Sequence, residues 1–307
     1  MIVVAGEALI DLVPQVRGDA LTPLRPVRGG GPYNTAVALA RLGGEAAFCS
    51  RVSTDAFGAS LLERLAEEGV ATGLVQRGPE PTTLAVAAVG ADGSASYAFY
   101  TGGTADRLFT LPPALPEPTR AVSFGTCSLV LEPGASAYEE LMRREAARGV
   151  LVALDPNIRA ELIPDADAYR SRFRGWLPHV SLLKLSEEDA DWLGLGLPEL
   201  AAAGPAAVVL TRGGDGLTVR TREGTEHSVP GEKVEVVDTI GAGDTVNAAL
   251  LHALAERDLL TPAAAAGLDA AGWAEILAFA ARAAAVTCSR AGAEPPRGWE
   301  VEAFAAR

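Results

Sequence analysis

Positive charge is scarce in this chain. Lys and Arg number 26 against 39 Asp and Glu, which leaves a net charge of −13 and a pI near 4.8. Neutralising a nucleic-acid backbone takes clustered cations, so no nucleic-acid partner is expected. The same deficit repels a nucleotide at long range. A nucleotide site here must work through local N–H groups, helix ends and a metal ion. Cysteine is equally sparse. Cys49, Cys127 and Cys288 stand far apart with no C-x-x-C pair, which argues against a disulfide framework or zinc site and leaves small buried side chains. His179, His227 and His252 are as scattered, and no structural metal is expected. Although 49% of residues are hydrophobic, no uninterrupted apolar run approaches the ~20 residues of a membrane span. No basic stretch precedes the first apolar run at residues 2–5, so no signal peptide is expected and the cytoplasm is the default location. No G-x-x-x-x-G-K-[ST] string occurs, which excludes a P-loop.

Glycine carries the positive information. Residues 238–245 read Asp-Thr-Ile-Gly-Ala-Gly-Asp-Thr and run into an amphipathic helical pattern. Gly241 and Gly243 let the backbone turn sharply and aim consecutive N–H groups at one point, where the positive end of the helix dipole also points. Asp244 stands at the rim, placed to take a proton from an attacking hydroxyl and expected to be kept ionised by the helix N-terminus. An anion cradle beside a base suits phosphoryl transfer, whose transition state spreads negative charge over the moving group. The same residues also fit an ordinary loop-to-helix turn with an acidic first-turn residue.

The 307 residues suffice for one large α/β domain or two small ones. Apolar runs at 2–5, 121–124, 151–154, 181–185 and 207–210 read as buried, mostly parallel strands. Helical patterns cover 33–42, 56–68, 137–148, 166–177, 187–193, 245–256 and 273–287. Their alternation predicts an α/β fold, a doubly wound sheet with helices on both faces. Residues 12–28 and 82–101 break the rhythm and read as antiparallel ribbons, the second turning at Ala91-Asp-Gly93 between 82–89 and 94–100. They form either a lid or a simple edge hairpin. Pro112, Pro113, Pro116 and Pro118 mark the return to the main fold. The expectation is a single domain, 1–307, with a lid from about 12–28 and 82–106.

The string at 238–245 and its helix resemble the C-terminal signature of the ribokinase-like (pfkB) carbohydrate kinases. Gly29-Gly-Gly-Pro-Tyr-Asn-Thr-Ala-Val-Ala-Leu-Ala-Arg-Leu-Gly43 resembles that family's N-terminal signature. The resemblance continues through Gly6-Glu-Ala-Leu-Ile-Asp11, Asp155-Pro-Asn-Ile-Arg159, Lys184-Leu-Ser-Glu187 and Thr211-Arg-Gly-Gly-Asp-Gly216, in order along nearly the whole chain. It implies a ribokinase-like fold with a small antiparallel β-lid over a sugar site. It also implies transfer from ATP with Mg²⁺, and a homodimer joined through the lid. Asp244 is then the general base. Gly241, Ala242 and Gly243 donate N–H groups to the γ-phosphoryl oxygens, and Arg159 bridges sugar and phosphate. On the sugar side the resemblance implies Asp11 (read as the carboxyl end of the first strand), Gly29, Gly30, Gly31 and Asn34, with Asp155 and Asn157 either holding Arg159 or contacting the substrate. Tyr33 stacks on the sugar or shapes its pocket, and Tyr100 joins from the lid. On the nucleotide side it implies Thr211, Gly213, Gly216 and Lys184, the last replacing the asparagine of an Asn-x-x-Glu element. Glu187 organises Mg²⁺ through water, although Ser186-Glu187 reads equally as a helix start. Asp238 and Ile240 offer oxygens to a K⁺ ion. Ala281 stands where relatives commonly carry an asparagine, in the helix that closes the adenine pocket.

Gly-Gly-Pro-Tyr-Asn in place of Gly-Gly-Lys-Gly-Ala-Asn argues against ribose. Kinases of 2-keto-3-deoxygluconate often carry a lid arginine to pair the substrate carboxylate. Here residues 99–106 hold none, and the first is Arg107. A fructokinase-like member acting on a neutral ketohexose is therefore expected, with 2-keto-3-deoxygluconate as the alternative. Tyr97, Phe99 and Tyr100 leave a nucleoside acceptor open. A catalytically silent sugar-binding regulator is the reading from another class, and the intact Asp244 weighs against it.

Overall fold

The computed structural model describes residues 1–16, 19, 21–89 and 95–306, and the expected turn at Ala91-Asp-Gly93 lies outside them. In chain order the strands are β1 (Ile2–Ala5), β2 (Leu9–Pro14), β3 (Leu24–Gly29), β4 (Ala46–Ser53), β5 (Ala71–Gly78), β6 (Leu84–Val89) and β7 (Ala95–Tyr100). They continue with β8 (Ala121–Gly125), β9 (Leu151–Asp155), β10 (Leu182–Ser186), β11 (Ala207–Thr211), β12 (Leu217–Thr221) and β13 (Glu226–Val229). The main sheet is nine-stranded, ordered β13-β12-β11-β10-β9-β8-β1-β4-β5. It is parallel from β11 to β5, with β12 and β13 added antiparallel at one edge.

Helices cover both faces. One side carries α1 (Gly31–Arg41) and α2 (Ala56–Glu67); the other carries α3 (Gly134–Ala147), α4 (Ala166–Trp176), α5 (Glu187–Leu193) and α6 (Leu197–Ala202). The chain then returns to the first side with α7 (Ala242–Glu256), α8 (Pro262–Gly267), α9 (Ala270–Cys288) and α10 (Gly298–Ala305). Strand periodicity divides the core accordingly. Ile2 and Val4 of β1 face the α1 side while Val3 and Ala5 face the α3 side, as successive side chains in a strand must. With both faces buried, a central strand reads as a nearly continuous apolar run, broken here by Ser123 in β8 and Lys184 in β10. That is why the five expected strands appear with their ends shifted by a residue or so.

Several elements escaped the sequence pattern. β4 and β5 contain Ser50, Arg51 and Gln76, and their apolar signal is diluted. The antiparallel strands β12 and β13 are short, and β13, at the edge, alternates exposed and half-buried residues. α9, of 19 residues, is by length and composition apolar enough to cross a membrane. Here Trp273, Ile276, Leu277, Ala280 and Ala283 are buried and it packs against α7.

The second sheet has the order β3-β2-β6-β7. Its two ribbons are antiparallel as expected, and they join through one parallel pair, β2 on β6. Both ribbons rise from carboxyl ends of the main sheet, β2 after β1 and β6 after β5. Side chains pin these crossings. Asp55, the N-cap of α2, accepts from Gly58 N at 2.7 Å and from Thr82 N and Oγ1 at 2.9 and 2.7 Å. Asp106 accepts from Thr83 Oγ1 at 2.6 Å and Thr104 Oγ1 at 2.8 Å, tying the outgoing and returning segments together. Beneath the small sheet, between β1 and β8, the strand order reverses direction, which is where open α/β sheets place their ligands.

Candidate active site

α7 begins at Ala242, three residues before the expected start, and Gly241 is its N-cap at φ 78°, ψ 0°. A Cβ at Gly241 would lie 2.8 Å from Ala293 Cβ and 3.0 Å from its Cα, so backbone conformation and space both require glycine. Ala242 N–H already donates to Thr239 O at 3.2 Å, which removes it from the expected donor set. The N–H groups of Gly241, Gly243 and Asp244 make no backbone bond among the described residues. They are the orphan donors of a helix N-terminus, an arrangement suited to holding an anion.

Asp244 is 8% exposed and accepts from Asn34 Nδ2 at 2.9 Å. Burial pushes its carboxyl up to about 6, opposed by the Asn34 hydrogen bond and by the charges of Lys184 and Arg159. Desolvation thus acts against the helix end, and the carboxyl stands closer to neutrality than an exposed aspartate, in the range a general base needs. Gly31 faces it. A Cβ there would fall 2.5 Å from Thr126 Oγ1, 3.2 Å from Asn157 Nδ2 and 3.3 Å from Asp244 Oδ1. The missing side chain keeps open the corner where those three groups converge.

Behind the turn, Lys184 Nζ and Asp155 Oδ2 form a 2.8 Å ion pair with both residues buried, 4% and 5% exposed. A Cβ on Gly243 would come within 2.9 Å of that ammonium, so Lys184 stands against the anion hole. Burial raises the Asp155 carboxyl and Lys184 counters it. Asp155 therefore holds Lys184 and does not line the cavity in front of Asp244, contrary to the expected substrate contact.

That cavity, of about 220 Å³, lies between the two sheets. Glu7, Asp11, Gly30, Gly31, Asn34, Tyr97, Phe99, Thr126, Asn157 and Arg159 line it together with Gly241, Gly243 and Asp244. Asp11 belongs to β2 in the small sheet, not to the end of the first strand. Register sets Val27, Asp11, Ala85 and Phe99 in one row across that sheet, on the face above the cavity. Burial raises Asp11 to about 6, with Arg159 lowering it. Arg159 is itself steered by Asn157, whose Oδ1 accepts from Nη1 at 2.7 Å.

Two aromatic expectations fail. Tyr33 is 2% exposed, edge-on to Phe48, and donates its hydroxyl to Leu61 O at 3.3 Å, so it is a core residue. Tyr100 is 62% exposed on the opposite face from Phe99, and Tyr97 and Phe99 take its place. Gly29 supports rather than lines: a Cβ there would meet Asp11 Oδ2. Glu7 and Thr126 were not singled out. Glu7 carried a signal, a carboxylate in the Gly6-to-Asp11 string. It accepts from Ser128 N and Oγ at 3.1 and 2.7 Å, and burial pushes it up to about 7. Thr126 gave none, since its φ of 60° is visible only in the fold.

A further cavity of about 240 Å³ shares Thr239 and Gly243 with the first. Thr211, Gly213 and Gly216 line it at one end, and Val234, Val236, Val246, Ala281 and Ala285 give it apolar walls. Ala281 there offers no polar edge. One glycine of the anion hole thus borders two cavities, a polar one beneath the small sheet and a largely apolar one beside it.

A model described as pfkB family carbohydrate kinase matches residues 1–299. The chain belongs to the pfkB family of carbohydrate kinases. A fructokinase of Rhizobium leguminosarum bv. trifolii is 39% identical over 277 residues, covering 88% of this chain and 84% of that protein. The structure of a Xylella fastidiosa fructokinase with bound ATP superposes with a TM-score of 0.90 at 29% identity, covering 99% of this chain and 98% of that one. A Vibrio cholerae O395 fructokinase with fructose, ADP and calcium gives a TM-score of 0.81 at 26% identity, over 99% and 98% of the two chains. In this kinase Gly243 stands at the boundary between the two cavities.

Proposed function

We propose that this kinase is an ATP-dependent fructokinase. The observation that carries the substrate is the fate of Arg107. Its guanidinium donates to the carbonyls of Thr101 (3.1 Å) and Glu132 (3.1 and 2.8 Å), away from the acceptor pocket. The row of the lid above that pocket presents Asp11 and Phe99 instead. A substrate carboxylate would meet Asp11, whereas a ketohexose offers hydroxyls for Asp11, Asn34 and Asn157 to bind.

In the mechanism, Asp244 takes the proton of the attacking hydroxyl as its oxygen bonds to the γ-phosphorus. The bond from that phosphorus to the bridging oxygen breaks, and ADP leaves with the electron pair. The N–H groups of Gly241 and Gly243 meet the charge on the moving phosphoryl group, with Lys184 and Arg159 flanking it. Mg²⁺ would enter with the nucleotide and supply positive charge to the transferring phosphoryl group. Glu187, exposed at the first turn of α5, suits an outer-sphere contact through water. The carbonyls of Asp238 and Ile240 accept no hydrogen bond among the described residues, which suits a K⁺ ion.

ATP consumption with fructose, 2-keto-3-deoxygluconate, ribose, tagatose and adenosine tests the reading. Fructose is expected to lead, with activity lost on chelating Mg²⁺ and raised by KCl. Severalfold faster turnover of 2-keto-3-deoxygluconate would overturn the substrate, and binding without turnover would leave a sensor. We also infer a cytoplasmic homodimer through the lid. Leu24 and Tyr100 expose apolar surface on the small sheet, which a second lid would cover. Sedimentation equilibrium is expected to give twice the chain mass, and Tyr100→Lys to give monomers. A wild-type monomer at all concentrations refutes the dimer.

A further inference from the structure

A third cavity, of about 480 Å³, lies between the β3 edge of the lid, α1, α2 and residues 291–294. Asn34 lines both this cavity and the acceptor pocket. Its charge is unusual for a protein of net charge −13. Arg28 spends Nε and Nη2 on the carbonyl and hydroxyl of Ser60, at 2.9–3.2 Å, which are neutral partners. Arg25 is exposed and makes no hydrogen bond or ion pair among the described residues. Arg64 alone of the three arginines is matched, by Glu294 at 3.1 Å and Glu68 at 3.3 Å. Arg25 and Arg28, neither paired with a carboxylate among the described residues, thus both line a concave site at the edge of the small sheet, and planar guanidinium forks suit phosphate oxygens. The volume exceeds what a bare phosphate needs, and Val37 and Phe57 offer apolar wall to an organic moiety.

We propose that this cavity binds a small organic phosphate of the sugar-monophosphate class and that its occupancy slows the kinase. Two contacts couple it to the chemistry. Asn34 donates to Asp244 at 2.9 Å. Ala293, in the same segment as Glu294, lies so close to Gly241 that a Cβ there would be 2.8 Å away. Glu294 is anchored by Arg41 at 2.8 Å as well as by Arg64 at 3.1 Å, so an anion that draws Arg64 away leaves residues 291–294 on one of their two arginine anchors and weakens the support of the turn at Gly241.

The test titrates fructose 6-phosphate and inorganic phosphate separately into enzyme saturated with fructose and a non-hydrolysable ATP analogue. Calorimetry reads binding, and steady-state assays at saturating fructose and ATP read kcat. The binding arm holds whichever sugar proves to be the acceptor. Fructose 6-phosphate is expected to bind with the active site filled and to lower kcat. Arg25→Gln and Arg28→Gln should each weaken that binding about tenfold or more, with basal turnover unchanged in Arg25→Gln. Equal affinity for inorganic phosphate supports the site with free phosphate as its occupant. No binding to the filled enzyme, or binding undiminished in both variants, overturns the proposal. So does a change of oligomeric state in Arg25→Gln with anion binding intact, since the cavity is then an interface between copies.

Discussion

Asp244→Asn should lower kcat by about 10²–10⁴ while leaving the fructose KM roughly where it was. The substitution keeps the shape and the Asn34 contact and removes only the proton acceptor. The pH profile separates this from a structural effect. The working form of Asp244 is ionised, and its carboxyl is pushed up to about 6, so wild-type kcat falls as the pH drops through that value. Asp11 is also raised to about 6 and acts in acceptor binding, so its protonation shows in kcat/KM. The variant should lose the acid limb of kcat and keep a limb in kcat/KM. An Asp244→Asn enzyme with near-full turnover, or one that retains the wild-type kcat profile, would dismiss Asp244 as the base.

Lys184→Met is expected to cost about 3–5 kcal/mol of stability, because it leaves Asp155 buried without its cation. Urea unfolding at neutral pH measures this. The loss should shrink in acid as Asp155 takes up a proton, since burial already raises that carboxyl. The double change Lys184→Met with Asp155→Asn removes both charges and should recover most of the stability. Turnover should not recover with it, because the ammonium also stands against Gly243. Recovery of both would reduce the pair to scaffolding. A single variant that loses less than about 1 kcal/mol would show that Asp155 finds another partner.

What could be read in advance follows from what each signal encodes. The strands flanking the switch point are buried on both sides, so their apolar runs announced them. The catalytic turn was legible because glycine at 241 answers a backbone demand that no other residue meets. Tyr33 and Tyr100 misled for different reasons. Tyr33 sits one turn from the glycines but on the face of α1 that packs against Phe48, and adjacency in sequence says nothing of facing. Tyr100 fails on parity: with Asp11 level with Ala85 and Ala85 level with Phe99, alternation sends Tyr100 to the other side. Counting residues in the second ribbon would have chosen Phe99, had the pairing of the two ribbons been known. The exchange of Asp155 from substrate contact to lysine partner, and the burial that tunes Asp244, arise from packing between segments far apart in the chain. No local pattern records them.

Among the described residues the small sheet pairs its strands only with one another and shares no ladder with the nine-stranded sheet. The cavity wall formed by Asp11, Tyr97 and Phe99 thus rests on a different piece of hydrogen-bonded architecture from Asn34, Asn157, Arg159 and the turn at Gly241, joined by short crossings. Drift in one need not corrupt the other. A lineage can reshape that wall by rewriting two ribbons while the turn at Gly241 is inherited whole. An engineer can do the same by grafting them.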